Sequence, residues 1–142
     1  MLDSQFPGLI SLSLSLRNYS LGTIWWVRED IWKSALPPSY SSDRDSHPGL
    51  CIRNSPLPPS SPLDVLPLLH GTSNKRSPSQ AFPVQGISRN EPAHTTYFQW
   101  NLRGRIPFVE FQQERCRPAD KPDLTSAELS AFRRELQKRE LI

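Results

Sequence analysis

The side chains best suited to chemistry are His47, His70 and His94, the hydroxyls of Thr72 and Ser73, and the cations that punctuate the middle of the chain. Imidazole, with an ordinary pKa of about 6.5, gives or takes a proton near neutrality. Hydroxyls and guanidinium groups donate to phosphate oxygens. Between Arg44 and Arg105 stand seven basic residues, Arg44, Arg53, Lys75, Arg76, Arg89, Arg103 and Arg105, against three acids, Asp45, Asp64 and Glu91. That balance suits a polyanionic partner such as RNA or DNA, or a basic solvated surface. Arg44, Arg53, His70, Lys75 and Arg76 are the candidates for such contacts. Trp25 joins them as an indole on which a base could stack. His47 and Cys51 invite a metal reading, but four residues of strand separate them by about 13 Å, far beyond ligand distances near 2 Å. No metal or other cofactor is expected.

These residues must be positioned by elements that the sequence only partly announces. The chain has 142 residues, enough for one domain with one core. Its 15 prolines are about twice average usage, so much of it is loop. Two cysteines without a Cys-x-x-Cys pattern point to a reduced, cytoplasmic setting. No apolar run approaches the roughly 20 residues of a membrane span. In residues 1–20, Ile10, Leu12, Leu14 and Leu16 alternate with serines, which reads as an N-terminal extension or an added edge strand.

The domain itself is placed at 21–142. Residues 23–27 read as a strand whose two tryptophans face opposite ways, one into the core and one onto a surface or groove. Residues 28–46 have loop chemistry, as does the proline-rich run 54–62. Between them lies a strand over 46–53. Pro48, Leu50 and Ile52 share its core face, while His47, Gly49, Cys51 and Arg53 share the other, resembling a shallow groove floor with charged ends. Residues 64–70 form another strand, confined by Pro67 to an edge or a bulge. It ends in a hydroxyl-rich turn around Thr72 and Ser73. Residues 95–102 form a further strand with Thr96, Phe98, Trp100 and Leu102 inward, and residues 106–111 suggest one more. Thr125 and Glu128 fit a capping box that opens a helix over 125–140, with Leu124 and Leu129 as its hydrophobic staple.

Four short motifs in order, Gly22-Thr23-Ile24-Trp25-Trp26-Val27, then Pro48-Gly49-Leu50-Cys51-Ile52 after a basic residue, then Val65-Leu66-Pro67-Leu68 leading to Thr72-Ser73, and finally Leu124-Thr125-Ser126-Ala127-Glu128-Leu129, resemble the MazF/PemK family of toxin endoribonucleases. The resemblance spans about residues 22–140. It implies a mainly β fold, a small SH3-like β-barrel with a C-terminal helix and long Pro/Ser-rich loops. It also implies a homodimer that cleaves single-stranded RNA without a metal and is blocked by a cognate antitoxin. Carried over by position, the family's catalytic arginine falls on His47, and its Thr/Ser position falls on Thr72 and Ser73. The sequence departs from the family in having histidine in place of that arginine and in an insertion, Leu69-His70-Gly71, before Thr72. A barrel that binds RNA or protein without cleaving is the alternative reading.

Overall fold

A computed structural model of the chain describes residues 19–42, 44–55 and 57–142. The alternating stretch at 10–16, and with it nearly all of the expected 1–20 extension, lies outside the described residues. In chain order the elements are β1 (Thr23–Arg28), α1 (Glu29–Ala35), β2 (Ser46–Cys51), β3 (Val65–Thr72), β4 (Ala81–Gln85), β5 (Thr95–Pro107), α2 (Phe108–Gln112), β6 (Cys116–Asp123) and α3 (Ser126–Lys138). The six strands form one curled antiparallel sheet, a half-barrel, in the order β4-β5-β3-β2-β1-β6. No helix among the described residues is long and apolar enough to cross a membrane.

Because strand side chains alternate, a sheet covered on both faces needs two apolar sets rather than one. One face packs Ile24, Leu50, Leu69, Phe98 and Trp100 against Phe132 and Leu136 of α3. The other packs Trp25, Val27, Cys51, Leu66, Leu68 and Ile106 against Ile31 and Trp32 of α1 and Phe111 of α2. The single core expected from chain length is thus two clusters.

α3 begins as its sequence dictates. Thr125 Oγ1 accepts from the Glu128 amide at 3.2 Å, and Glu128 returns to the Thr125 amide at 2.9 Å. Of the inward set expected for β5, Thr96, Phe98 and Trp100 are buried as alternation requires, whereas Leu102 is only half-buried and packs with the other cluster.

Three local expectations are corrected, and two strands were not expected. Residues 29–35, read as loop, form α1, because Ile31 and Trp32 gain a buried face there; seven residues before Pro37-Pro38 are too few to display a helical period. Residues 106–111 are not a separate strand: β5 runs on to Pro107, and α2 follows. β3 is interior despite Pro67. The Pro67 carbonyl accepts from Ile52, beyond the last β2 pair, Cys51 with Leu68, so the missing proline N–H faces a side where the ladder has ended. β4, five residues interrupted by Pro83, and β6, with Pro118 and Pro122 among charged residues, offer too little strand signal to have been expected.

Candidate functional site

The site is built where the start of β2 meets the end of β3. Gly49 pairs with His70 across the two strands, so His47, two residues before Gly49, is the diagonal neighbour of His70 on one sheet face. Their rings lie 4.4 Å apart between centroids. α1 crosses this same face. Trp32, fully buried, sits against Gly49 and Gly104: a Cβ at Gly49 would lie 3.1 Å from the indole, and one at Gly104 2.9 Å from it. Trp32 Nε1 donates to the His47 carbonyl at 3.1 Å, and its ring meets His70 edge-on. The groove floor expected over Gly49 and Cys51 is therefore filled by Trp32; the small residues admit a helix rather than a ligand.

What remains open is the polar margin of this helix. Glu29, the first residue of α1, is buried, and its Oε2 accepts from the Tyr40 hydroxyl at 2.9 Å and lies 3.5 Å from His47 Nε2. The second pair is an ion pair when the imidazole is protonated. His47 Nε2 also lies 2.7 Å from Ser42 Oγ, and Nδ1 lies 3.3 Å from the Gly71 carbonyl, which can only accept; Nδ1 therefore carries a proton. His70 is held on both sides, by Tyr40 Oη at 2.8 Å from Nε2 and by Gln99 Nε2 at 3.3 Å from Nδ1.

One assignment of protons satisfies the chain. Gln99 donates to His70 Nδ1, His70 Nε2–H donates to Tyr40, and Tyr40 donates to Glu29. It requires a neutral His70. Burial, with the neighbouring His47 charge, pushes His70 down to about 3, so it is neutral near pH 7. Burial and the Glu29 carboxylate hold the Tyr40 phenol well above its ordinary range, so it remains a donor. Gln99 reaches His70 because β3 and β5 lose register there, Leu69 facing Arg103 but Gly71 facing Phe98; the extra β5 residues re-aim the side chain.

Of the residues singled out from sequence, His47, His70, Thr72, Ser73, Arg44 and Arg76 line one cleft of about 360 Å³, with Tyr40 and Gln99. Arg44 Nη2 reaches Ser73 Oγ at 3.5 Å, and Thr72 Oγ1 accepts the Asn74 amide, closing the turn while leaving its own proton to give. His47 and Arg44 also line an adjoining cleft of about 340 Å³ that includes Trp26 and His94.

Three expectations fail here. Trp25 is not a surface stacker: it is buried, donates to Thr23 Oγ1 at 3.0 Å and stacks on Tyr19, so the half-exposed indole of the pair is Trp26. Arg53 lies past the far end of β2 and donates to the Leu57 carbonyl, away from His47. Lys75 turns toward a different cleft beside β4, which it shares with Arg76 and Tyr97.

Sequence reasoning missed Glu29, Tyr40, Ser42 and Gln99. Ser42 lies five positions from His47, and the contacts of the other three span 11 to 30 positions; no recognisable motif encodes them. The only available signal was the Glu29-Asp30 pair ahead of Ile31 and Trp32, acids being favoured in a first helical turn. The cysteines take no part. Both are free and buried, which pushes Cys51 up to about 11 and Cys116 up to about 12, far from thiolate at neutral pH. No group of three or more potential metal ligands occurs among the described residues. No protein-family model matches the chain, and neither does any curated protein or solved structure.

Proposed function

We propose that the chain is a toxin-type endoribonuclease built on a small SH3-like barrel, cutting single-stranded RNA without a metal and restrained by a cognate antitoxin. The observation that carries this reading is the convergence of His47, Arg44, Thr72, Ser73 and Arg76 on one cleft. Three of the four motifs behind the family resemblance lie on the adjacent strands β1, β2 and β3, which supports the same reading. A homodimer with its RNA groove at the subunit interface is part of the proposal.

In this reaction the 2′-oxygen attacks phosphorus, the O2′–P bond forms and the P–O5′ bond breaks. His94, which shares the adjoining cleft with His47, accepts the 2′-hydroxyl proton. Protonated His47 gives a proton to the departing 5′-oxygen. Arg44 and the hydroxyls of Thr72 and Ser73 donate to the phosphate oxygens as charge builds on them. Histidine in place of a permanent cation makes the rate depend on pH near neutrality. The test is a long single-stranded RNA incubated with the protein in EDTA between pH 5 and 8. Cleavage is expected across part of that range, and intact RNA throughout it overturns the reading.

A second reading is favoured by one specific observation: both His47 ring nitrogens already face protein groups, Gly71 on one side and Ser42 and Glu29 on the other. An imidazole so engaged suits a module that binds RNA without cutting it. Salt-dependent RNA binding with no cleavage products is its signature.

A further inference from the structure

We propose that Glu29 is the positioning carboxylate of His47, locked by Tyr40 and braced through Tyr40 by His70, so that α1 is the element that arms the site. The inference rests on the ribonuclease reading for its catalytic consequence, but its structural content stands on separate observations. A carboxylate at the first residue of a helix would ordinarily reach solvent, whereas Glu29 is only 7% exposed. Its Oε1 has no hydrogen-bond partner among the described residues. Burying a carboxylate with one oxygen unpaired is costly, and a cation beside the other oxygen offsets that cost. The group available is His47 Nε2 at 3.5 Å.

Tyr40 makes the arrangement directional. Its hydroxyl has one proton, and by giving it to Glu29 Oε2 it fixes the carboxylate on the side of His47. His70, held neutral, donates to Tyr40 and so prevents the phenol from turning away. Trp32 closes the network from beneath and ties α1 to the His47 backbone. Among the described residues, the charged and titratable groups that contact His47 or line the clefts beside it include Glu29 from α1, Tyr40 and Arg44 from the following loop, His70 from β3, and Glu91 and His94 from the loop before β5. Of these, Glu29 is the group within ion-pair distance of the imidazole. Ser42, 2.7 Å from Nε2, marks where a substrate oxygen would take up the proton.

The decisive comparison is wild type against Glu29→Gln and Tyr40→Phe, using imidazole ¹⁵N NMR, thermal unfolding and RNA cleavage on the full chain. Glu29→Gln keeps the shape and removes the charge, so it is expected to fold with an unchanged or raised unfolding temperature. Its His47 nitrogens should move toward the neutral form at a fixed pH. Its kcat should fall about tenfold or more while KM stays within about twofold, and Tyr40→Phe should show a smaller change of the same sign. His47 resonances in Glu29→Gln that coincide with those of wild type overturn the proposal, whatever the activity. If wild type cleaves no RNA, the ribonuclease reading falls, and the NMR comparison still decides whether Glu29 positions His47.

Discussion

The two faces of the sheet are covered by helices of opposite character. α3 lies on a dry face, where Phe132 and Leu136 are fully buried among Phe82, Phe98 and Trp100, and its polar groups are satisfied locally by the capping box. α1 lies on a face whose inner part is apolar around Trp32, but its leading edge buries Glu29 and His70. α3 buries only apolar side chains, Phe132 and Leu136. α1 gives up packing at one end to hold titratable groups near a cleft, the pattern expected where function rather than stability has set the residues.

Variants on the α3 face should therefore remove stability and leave cleavage per folded molecule intact, while changes beneath α1 should couple the two. The largest effect is expected from Phe132→Ala. The ring is fully buried and lies 4.9 Å from Phe82 and 5.9 Å from Trp100 between centroids. Its loss should cost about 3–5 kcal/mol, measured as a lowered urea midpoint. A cost below about 1 kcal/mol would mean that α3 is not the lid of that core.

The second effect is pH dependence from the α1 side. His70 titrates at about 3 when folded and ordinarily at 6.5. The unfolded chain thus binds a proton that the folded chain refuses. This contribution to stability is complete above pH 6.5 and is lost as pH falls toward 3, at up to about 1.4 kcal/mol per pH unit. His70→Gln should flatten that limb in denaturant titrations at pH 4 to 7. An unchanged slope would remove His70 as its source.

Gly49→Ala is expected to cost about 1–3 kcal/mol, because the new methyl meets Leu68 at 2.8 Å and Trp32 at 3.1 Å and forces α1 outward. Unlike Phe132→Ala it should also lower cleavage per folded molecule, since α1 carries Glu29; equal activity would separate the helix from the site. The smallest change, Thr125→Ala, removes one cap and should cost about 1 kcal/mol without altering activity.

The same contrast explains what the sequence disclosed. α3 was legible down to its first residue because its cap, staple and apolar spacing are all local. β1, β2 and the inward side of β5 were legible through alternation. α1 was not, because seven residues carry too little periodicity and its burial depends on Gly49 and Gly104, which come 14 or more positions later. Within the site, His47, Thr72 and Ser73 were found through the order of motifs and Arg44 through the charge distribution. Glu29 and Tyr40 were hidden because their role arises only when α1 folds over β2 and β3. Trp25 and Trp26 show the limit of alternation: it states that they part, and only the packing of Tyr19 and Phe111 decides which one is buried.

The claim that the polar edge beneath α1 cuts RNA is tested most directly by the chemistry of the ends it leaves. Wild type and His47→Ala, each shown to be folded, are incubated with one long single-stranded RNA in EDTA, and the fragments are analysed by mass spectrometry. The account predicts 2′,3′-cyclic phosphate and 5′-hydroxyl ends from wild type, and at least about a hundredfold fewer from His47→Ala. Equal cleavage by the two proteins, or intact RNA with both, would contradict it.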